Sequence, residues 1–203
     1  MFDYSEKINF EPVDTGDYEV VIETAEYKQS TTGKNYISLK FLIRKDVNQN
    51  FQGRYIFDRI WENNVYKRND GKRISKDDYE KMSSDEKATI KITKEYNDYQ
   101  IRTLIQAQDE DVKIKNAQGL EEDNPNYKTK FEDMDDVVLF LNGLALQIKV
   151  IKYNDDKTGE ERNSVDYKGI KRTNHHLASA NLKNNNFSAS NEKVDIDDGD
   201  LPF

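Results

Sequence analysis

The densest chemistry in the chain sits in one short stretch, Gly53-Arg54-Tyr55-Ile56-Phe57-Asp58-Arg59-Ile60-Trp61. In a strand alternate side chains share a face. If Ile56 and Ile60 point into a core, then Tyr55, Phe57, Arg59 and Trp61 form a row of three aromatics and a guanidinium on the other side. Upstream, Asn35 to Lys45 alternates in the same way: Ile37, Leu39, Phe41 and Ile43 face inward, and Tyr36, Ser38, Lys40, Leu42 and Arg44 face outward. Aromatic rings stack bases of any identity, at roughly 1 to 3 kcal/mol per base, while Lys and Arg track phosphates. The pattern therefore predicts a surface for single-stranded nucleic acid, since a duplex hides its base faces. The expected contact set is Lys34, Tyr36, Lys40, Arg44, Arg54, Tyr55, Phe57, Arg59 and Trp61, with Lys28, Lys157, Lys168, Lys171 and Arg172 as further phosphate contacts. The opposite phase, with the aromatics buried and Ile56 and Ile60 outside, is the common fate of such a strand. Arg59 argues against it, and Asp58 argues equally against the phase chosen here.

The elements that must hold this surface are readable along the chain. Residues 1 to 15 suit an extended arm. Gly16 to Lys28 is a long strand whose inward row (Tyr18, Val20, Ile22) slips phase at Ala25 and Tyr27, the signature of a bulge. Gln29 to Lys34 and Asp46 to Gln52 are turns. Residues 62 to 130 form a polar insertion, with a helix start at Ser83 to Glu86, helical spacing at Ile101, Leu104 and Ile105, and either helix or strand at Ile90 and Ile92. Asp133 to Asn142 is a helix with acids in its first turn and Gly143 as its C-terminal cap. Leu144 to Tyr153 and Ser164 to Lys171 form a hairpin around Asp155 to Gly159. Three strands, a helical region and a two-stranded hairpin predict a mainly β domain over 1–173. The expected form is a five-stranded OB-fold barrel with a helical insertion between strands 3 and 4; an SH3-like barrel and an open α+β sheet are the alternatives.

Composition bounds the chemistry. Among 203 residues there is no cysteine, and the two histidines, His175 and His176, are adjacent, so thiolate chemistry and a Cys zinc site are excluded. No phosphate-binding glycine loop occurs, and the acids Asp133, Asp135 and Asp136 sit where they serve a helix dipole. The expectation is a protein that is not an enzyme and needs no cofactor or metal. The start, Met-Phe-Asp-Tyr-Ser-Glu, has neither the basic nor the apolar region of a signal peptide, and no apolar run approaches membrane-spanning length. A cytoplasmic protein with no membrane partner is expected.

A net charge of −8 at first opposes nucleic-acid binding. Half of it lies at the end, because residues 192–203 carry five acids against one base. From Asn174 the chain loses apolar periodicity, which predicts a disordered Asn- and Ser-rich linker over 174–193. The final stretch, 194–203, reads Val-Asp-Ile-Asp-Asp-Gly-Asp-Leu-Pro-Phe. Its acids Asp195, Asp197, Asp198 and Asp200 and its apolar end Leu201, Pro202 and Phe203 suit a basic groove with an apolar pocket on another protein.

This tip resembles the acidic C-terminal tip of bacterial and phage single-stranded DNA-binding proteins, which recruits replication, recombination and repair enzymes. The block from Tyr18 to Trp61, with its Gly-Arg-Tyr-Ile-Phe-Asp-Arg-Ile-Trp run, is similar to single-stranded DNA-binding proteins of tailed phages of low-GC Gram-positive bacteria. The resemblance covers the N-terminal strands, the later hairpin and the tip, and leaves 62–130 poorly matched. It implies an OB-fold that binds single-stranded DNA with little sequence specificity in the cytoplasm of the bacterial host and recruits replication and recombination partners through the tip. It leaves homo-oligomerisation open. The rival expectation is an acidic protein-interaction module, a recombination adaptor or DNA mimic, with no DNA binding of its own.

Overall fold

The computed structural model describes residues 11–111, 113–115 and 117–175. The first ten residues of the expected arm, the linker beyond 175 and the tip at 194–203 lie outside the described residues.

Alternating apolar residues drive three opening strands, β1 (Gly16–Gln29), β2 (Asn35–Ile43) and β3 (Tyr55–Lys67). Their inward rows bury Val20, Ile22, Ile37, Leu39, Phe41, Ile43, Ile56 and Ile60. Each such side chain contributes roughly 1.5 to 3 kcal/mol. The expected phase slip in β1 is a register shift between Ile22 and Thr24: Ile22 pairs with Phe41 and Thr24 with Lys40, which leaves Glu23 as the extra residue.

The polar insertion holds more strand than expected. β3 does not end at Trp61 but runs on to Lys67, where it pairs with β4 (Arg73–Ile74) and β5 (Lys91–Tyr96). Ile92 is therefore in a strand. Between β4 and β5 lie α1 (Lys76–Lys81) and α2 (Ser84–Lys87), the latter opened by a Ser83/Glu86 capping box. The ring of Tyr79 on α1 stacks on Tyr66 of β3 at 4.5 Å. α3 (Asp98–Gln106) buries Ile101 and Leu104, and a small hairpin, β6 (Lys113–Lys115) with β7 (Glu121–Asp123), follows within the polar insertion.

α4 (Met134–Leu141) starts from the Asp133 cap and ends beside Gly143, whose φ of 83° is the left-handed backbone expected at this position. The Asn142 side chain then takes the place of a strand partner. It accepts from the Ala25 N–H at 2.8 Å and donates to the Ala25 carbonyl at 3.1 Å, just beyond the point where β1 parts from its other neighbour. That neighbour is β8 (Ala145–Asn154), which pairs with β9 (Glu161–Arg172). Gly169 lies on Lys149 of β8 so closely that a Cβ would fall 2.4 Å from the lysine Cβ.

The protein is mainly β, an antiparallel sheet with helices packed against it. The sheet has seven strands in the order β4-β3-β2-β1-β8-β9, with β5 also on β3, rather than five. Among the described residues no ladder joins β3 to β9, so the hydrogen-bonded sheet is open where a closed barrel was expected. From Glu62 onward β3 spends its pairing on β5, and at Asp58 it meets β9 through side chains alone. Asp58 points inward between Ile56 and Ile60 toward the Tyr167 hydroxyl of β9. Its Oδ2 and that hydroxyl are both buried and lack an aligned hydrogen bond. Burial pushes the Asp58 carboxyl up to about 6, with the Arg59 backbone N–H and the Tyr167 hydroxyl opposing the rise.

Candidate nucleic-acid interface

The register between β2 and β3 sets Leu42 opposite Tyr55, Lys40 opposite Phe57, Ser38 opposite Arg59 and Tyr36 opposite Trp61, all on the side away from the core. Inward Ile56 and Ile60 fix the phase. Tyr55 and Phe57 are each 41% exposed, with ring centroids 6.3 Å apart. They are the two rings of this face most open to a stacking base.

The other end of the row is built as a pile. Trp61 lies 4.9 Å from Tyr36, the Arg59 guanidinium sits 4.8 Å from the Tyr36 ring and 5.7 Å from the Trp61 ring, and Lys34 Nζ lies 4.9 Å from the Trp61 ring. Lys34 also donates to Asn63 Oδ1 at 3.2 Å. Tyr36 faces outward by phase yet is 2% exposed, so its expected role as a stacking ring is corrected. Arg59 and Trp61 cover it, and Tyr36 is the support on which they rest.

Arg44 is a second correction. Alternation placed it outward, and its N–H does carry the ladder one step past β2 to the Glu19 carbonyl at 3.0 Å, but on that side the chain at Thr173 to His175 closes over it. Arg44 is buried, with its guanidinium 2.7 Å from Asp46 Oδ2, 4.0 Å from Glu19 and 3.1 Å from Thr173 Oγ1. It also donates to the His175 carbonyl, and its hydrogen bonds to Asp46, helped by its charge, hold the Asp46 carboxyl below the usual range. This cluster anchors the end of β9 and takes no part in the face. Arg54 precedes β3, and its guanidinium donates to the Glu11 carbonyl, tying it to the arm. Of the further cations, Lys28 pairs with Glu26 at 2.9 Å and Arg172 with Asp109 and Asp111, whereas Lys157, Lys168 and Lys171 are exposed.

One member of the face was missed by sequence reading: Glu23, the bulge residue of β1. Its Oε2 lies 2.7 Å from Lys40 Nζ, and its Oε1 accepts from the Tyr55 hydroxyl at 3.1 Å. Lys40 Nζ in turn sits 4.0 Å from the centroid of the Tyr55 ring. Burial pushes the Tyr55 phenol up, and the Glu23 charge adds to the rise. The phase slip that announced the bulge was the available signal, because a bulged residue is freed from the alternation of its strand.

Away from this face, a groove of about 610 Å³ runs between β5, α3 and α4 over Tyr96, Ile101, Ile105, Phe131, Met134 and Val137. Its cations are paired: Arg73 with Glu95, Lys94 with Glu62, Arg102 with Asp98. Among the described residues no cluster of three or more His, Asp or Glu is placed to hold a metal ion, and no helix is long and apolar enough to cross a membrane. No curated protein sequence matches the chain. Residues 1–93, which carry β1, β2, β3 and with them the whole aromatic row, match the model of a family described as a protein of unknown function, DUF669.

Proposed function

We propose that this chain is a non-enzymatic single-stranded DNA-binding protein of phage type, which covers exposed DNA with little sequence preference during replication, recombination and repair in the cytoplasm of the bacterial host. The observation that carries the reading is the pair of exposed rings, Tyr55 and Phe57, on the same sheet face as Lys40 and the Lys34-Trp61-Arg59 pile. Flat rings beside cations are what a sequence-tolerant single-strand site requires. The order β3-β2-β1-β8-β9, with a long bulged β1 at its centre, supports an OB-type body in which Asp58 and Tyr167 mark the seam between the first and last strands of that series. In this reading the tip residues Asp195, Asp197, Asp198, Asp200, Leu201, Pro202 and Phe203 recruit partner enzymes, raising their concentration at the covered strand.

Trp61, the single tryptophan, is the reporter. Titrating oligo-dT should quench its fluorescence saturably, and the affinity should fall steeply with added salt. A protein that gives no quench, no salt dependence and no gel shift is not a single-strand binder, and the acidic interaction module then takes its place.

A further inference from the structure

The bulge puts a carboxylate inside a face otherwise made for an anion. Glu23 is mostly shielded, with 18% of its side chain exposed against 34% for Lys40. It holds two of the groups the face would offer to DNA: the ammonium of Lys40 at 2.7 Å and the hydroxyl of Tyr55 at 3.1 Å. Lys40 is also kept over the Tyr55 ring, 4.0 Å from its centroid, so one ring face is covered by the cation rather than open to a base.

Resting on the single-strand reading, we infer that Glu23 is an internal competitor of the DNA phosphate: it occupies Lys40 in the free protein and must yield it when a strand binds. The physics is an exchange of partners. A phosphate that pairs with a free lysine releases a condensed counterion, steepening the fall of log affinity with log salt by about 0.9 per contact. A phosphate that takes Lys40 from Glu23 leaves a bare carboxylate, which gathers a cation of its own and cancels that release. Glu23 therefore lowers both the affinity and its salt dependence, and it makes release of the strand easier. It acts as a positioning residue, through Lys40 and Tyr55, and no bond to DNA is required of it.

The test uses the full chain and oligo-dT, read by Trp61 quenching between low and moderate salt. Glu23→Gln should bind about two- to fivefold tighter at low salt, the range that an exposed ion pair represents, and its salt slope should steepen by about one. Glu23→Thr, which suits a strand and carries no charge, should behave alike and serves if the glutamine variant misfolds. In a Lys40→Met background the Glu23→Gln gain should vanish, because it is exerted through Lys40. Unchanged or weaker binding by both Glu23 variants, or a gain that persists without Lys40, overturns the competitor role. Failure of the unaltered protein to bind any oligonucleotide instead overturns the single-strand reading beneath it.

Discussion

The substitution Asp58→Asn should stabilise the protein at neutral pH, and the size of the gain follows from where the carboxylate sits. Asp58 lies between Ile56 and Ile60 on the inward row of β3, its Oδ2 buried and facing the Tyr167 hydroxyl without an aligned bond. Its carboxyl is raised from 3.8 to about 6 by burial. A raised acid binds its proton more tightly in the folded than in the unfolded chain, so stability falls as pH rises through the window from about 4 to about 6 and is flat above it. Across that window the fold loses about 3 kcal/mol. The amide introduced at this position has the shape of the acid, can still accept from Tyr167, and does not ionise. Urea unfolding followed by Trp61 fluorescence, at steps from pH 4 to 8, should show the variant about level with the native protein at pH 4 and exceeding it by about 2 kcal/mol at pH 8, a discount from the full window for the lost Arg59 N–H contact. Other carboxyls, such as those of Asp46 and Asp155, are lowered, and their loss of stability falls below this range. A difference between variant and native protein that does not change from pH 4 to 8 would refute the argument, because it would place the ionised carboxylate at no cost in the fold.

Arg44→Ala should destabilise by about 3 to 5 kcal/mol, because it strips the guanidinium from buried Glu19 and leaves that carboxylate without its cation; chemical denaturation measures it, and a loss under about 1 kcal/mol would mean that the cluster carries little of the fold. Truncating Tyr55 and Phe57 together to Ala should lower stability only modestly, by about 1 to 2 kcal/mol, since each ring is partly exposed, while weakening oligo-dT binding by about 1 to 3 kcal/mol per stacked base. Retained affinity in a folded double variant would move the binding surface elsewhere.

How far the fold could be read depended on whether a residue bordered a core. β1, β2, the start of β3, the β8-β9 hairpin and α4 each bury one face, and their alternation or capping announced them. The bulge showed itself because Ala25 and Ile22 are both buried across an odd step. The Glu62–Lys67 extension of β3 was invisible for the opposite reason. It pairs with β4 and β5 in a ribbon where none of its residues is fully buried, so Glu-Asn-Asn-Val-Tyr-Lys carries no apolar period. Arg44 and Tyr36 failed by different routes. Arg44 was covered by a distant segment, Thr173 to His175, and Tyr36 by its own neighbours Trp61 and Arg59, and strand phase alone reports neither.

The Asn142 clasp on Ala25 bears on how the protein avoids sticking to itself. Where β1 parts from β8, its backbone would present an unpaired N–H and C=O, the template on which a foreign strand adds and sheets grow from one molecule into the next. Asn142 fills both valences with one side chain, and α4 lies along the same edge. An intruding strand would have to unseat the end of a helix whose Leu141 is fully buried before it could pair there. The amide thus works as a plug against chain-to-chain β-sheet growth, at the point where the central strand of the sheet would otherwise be open to it.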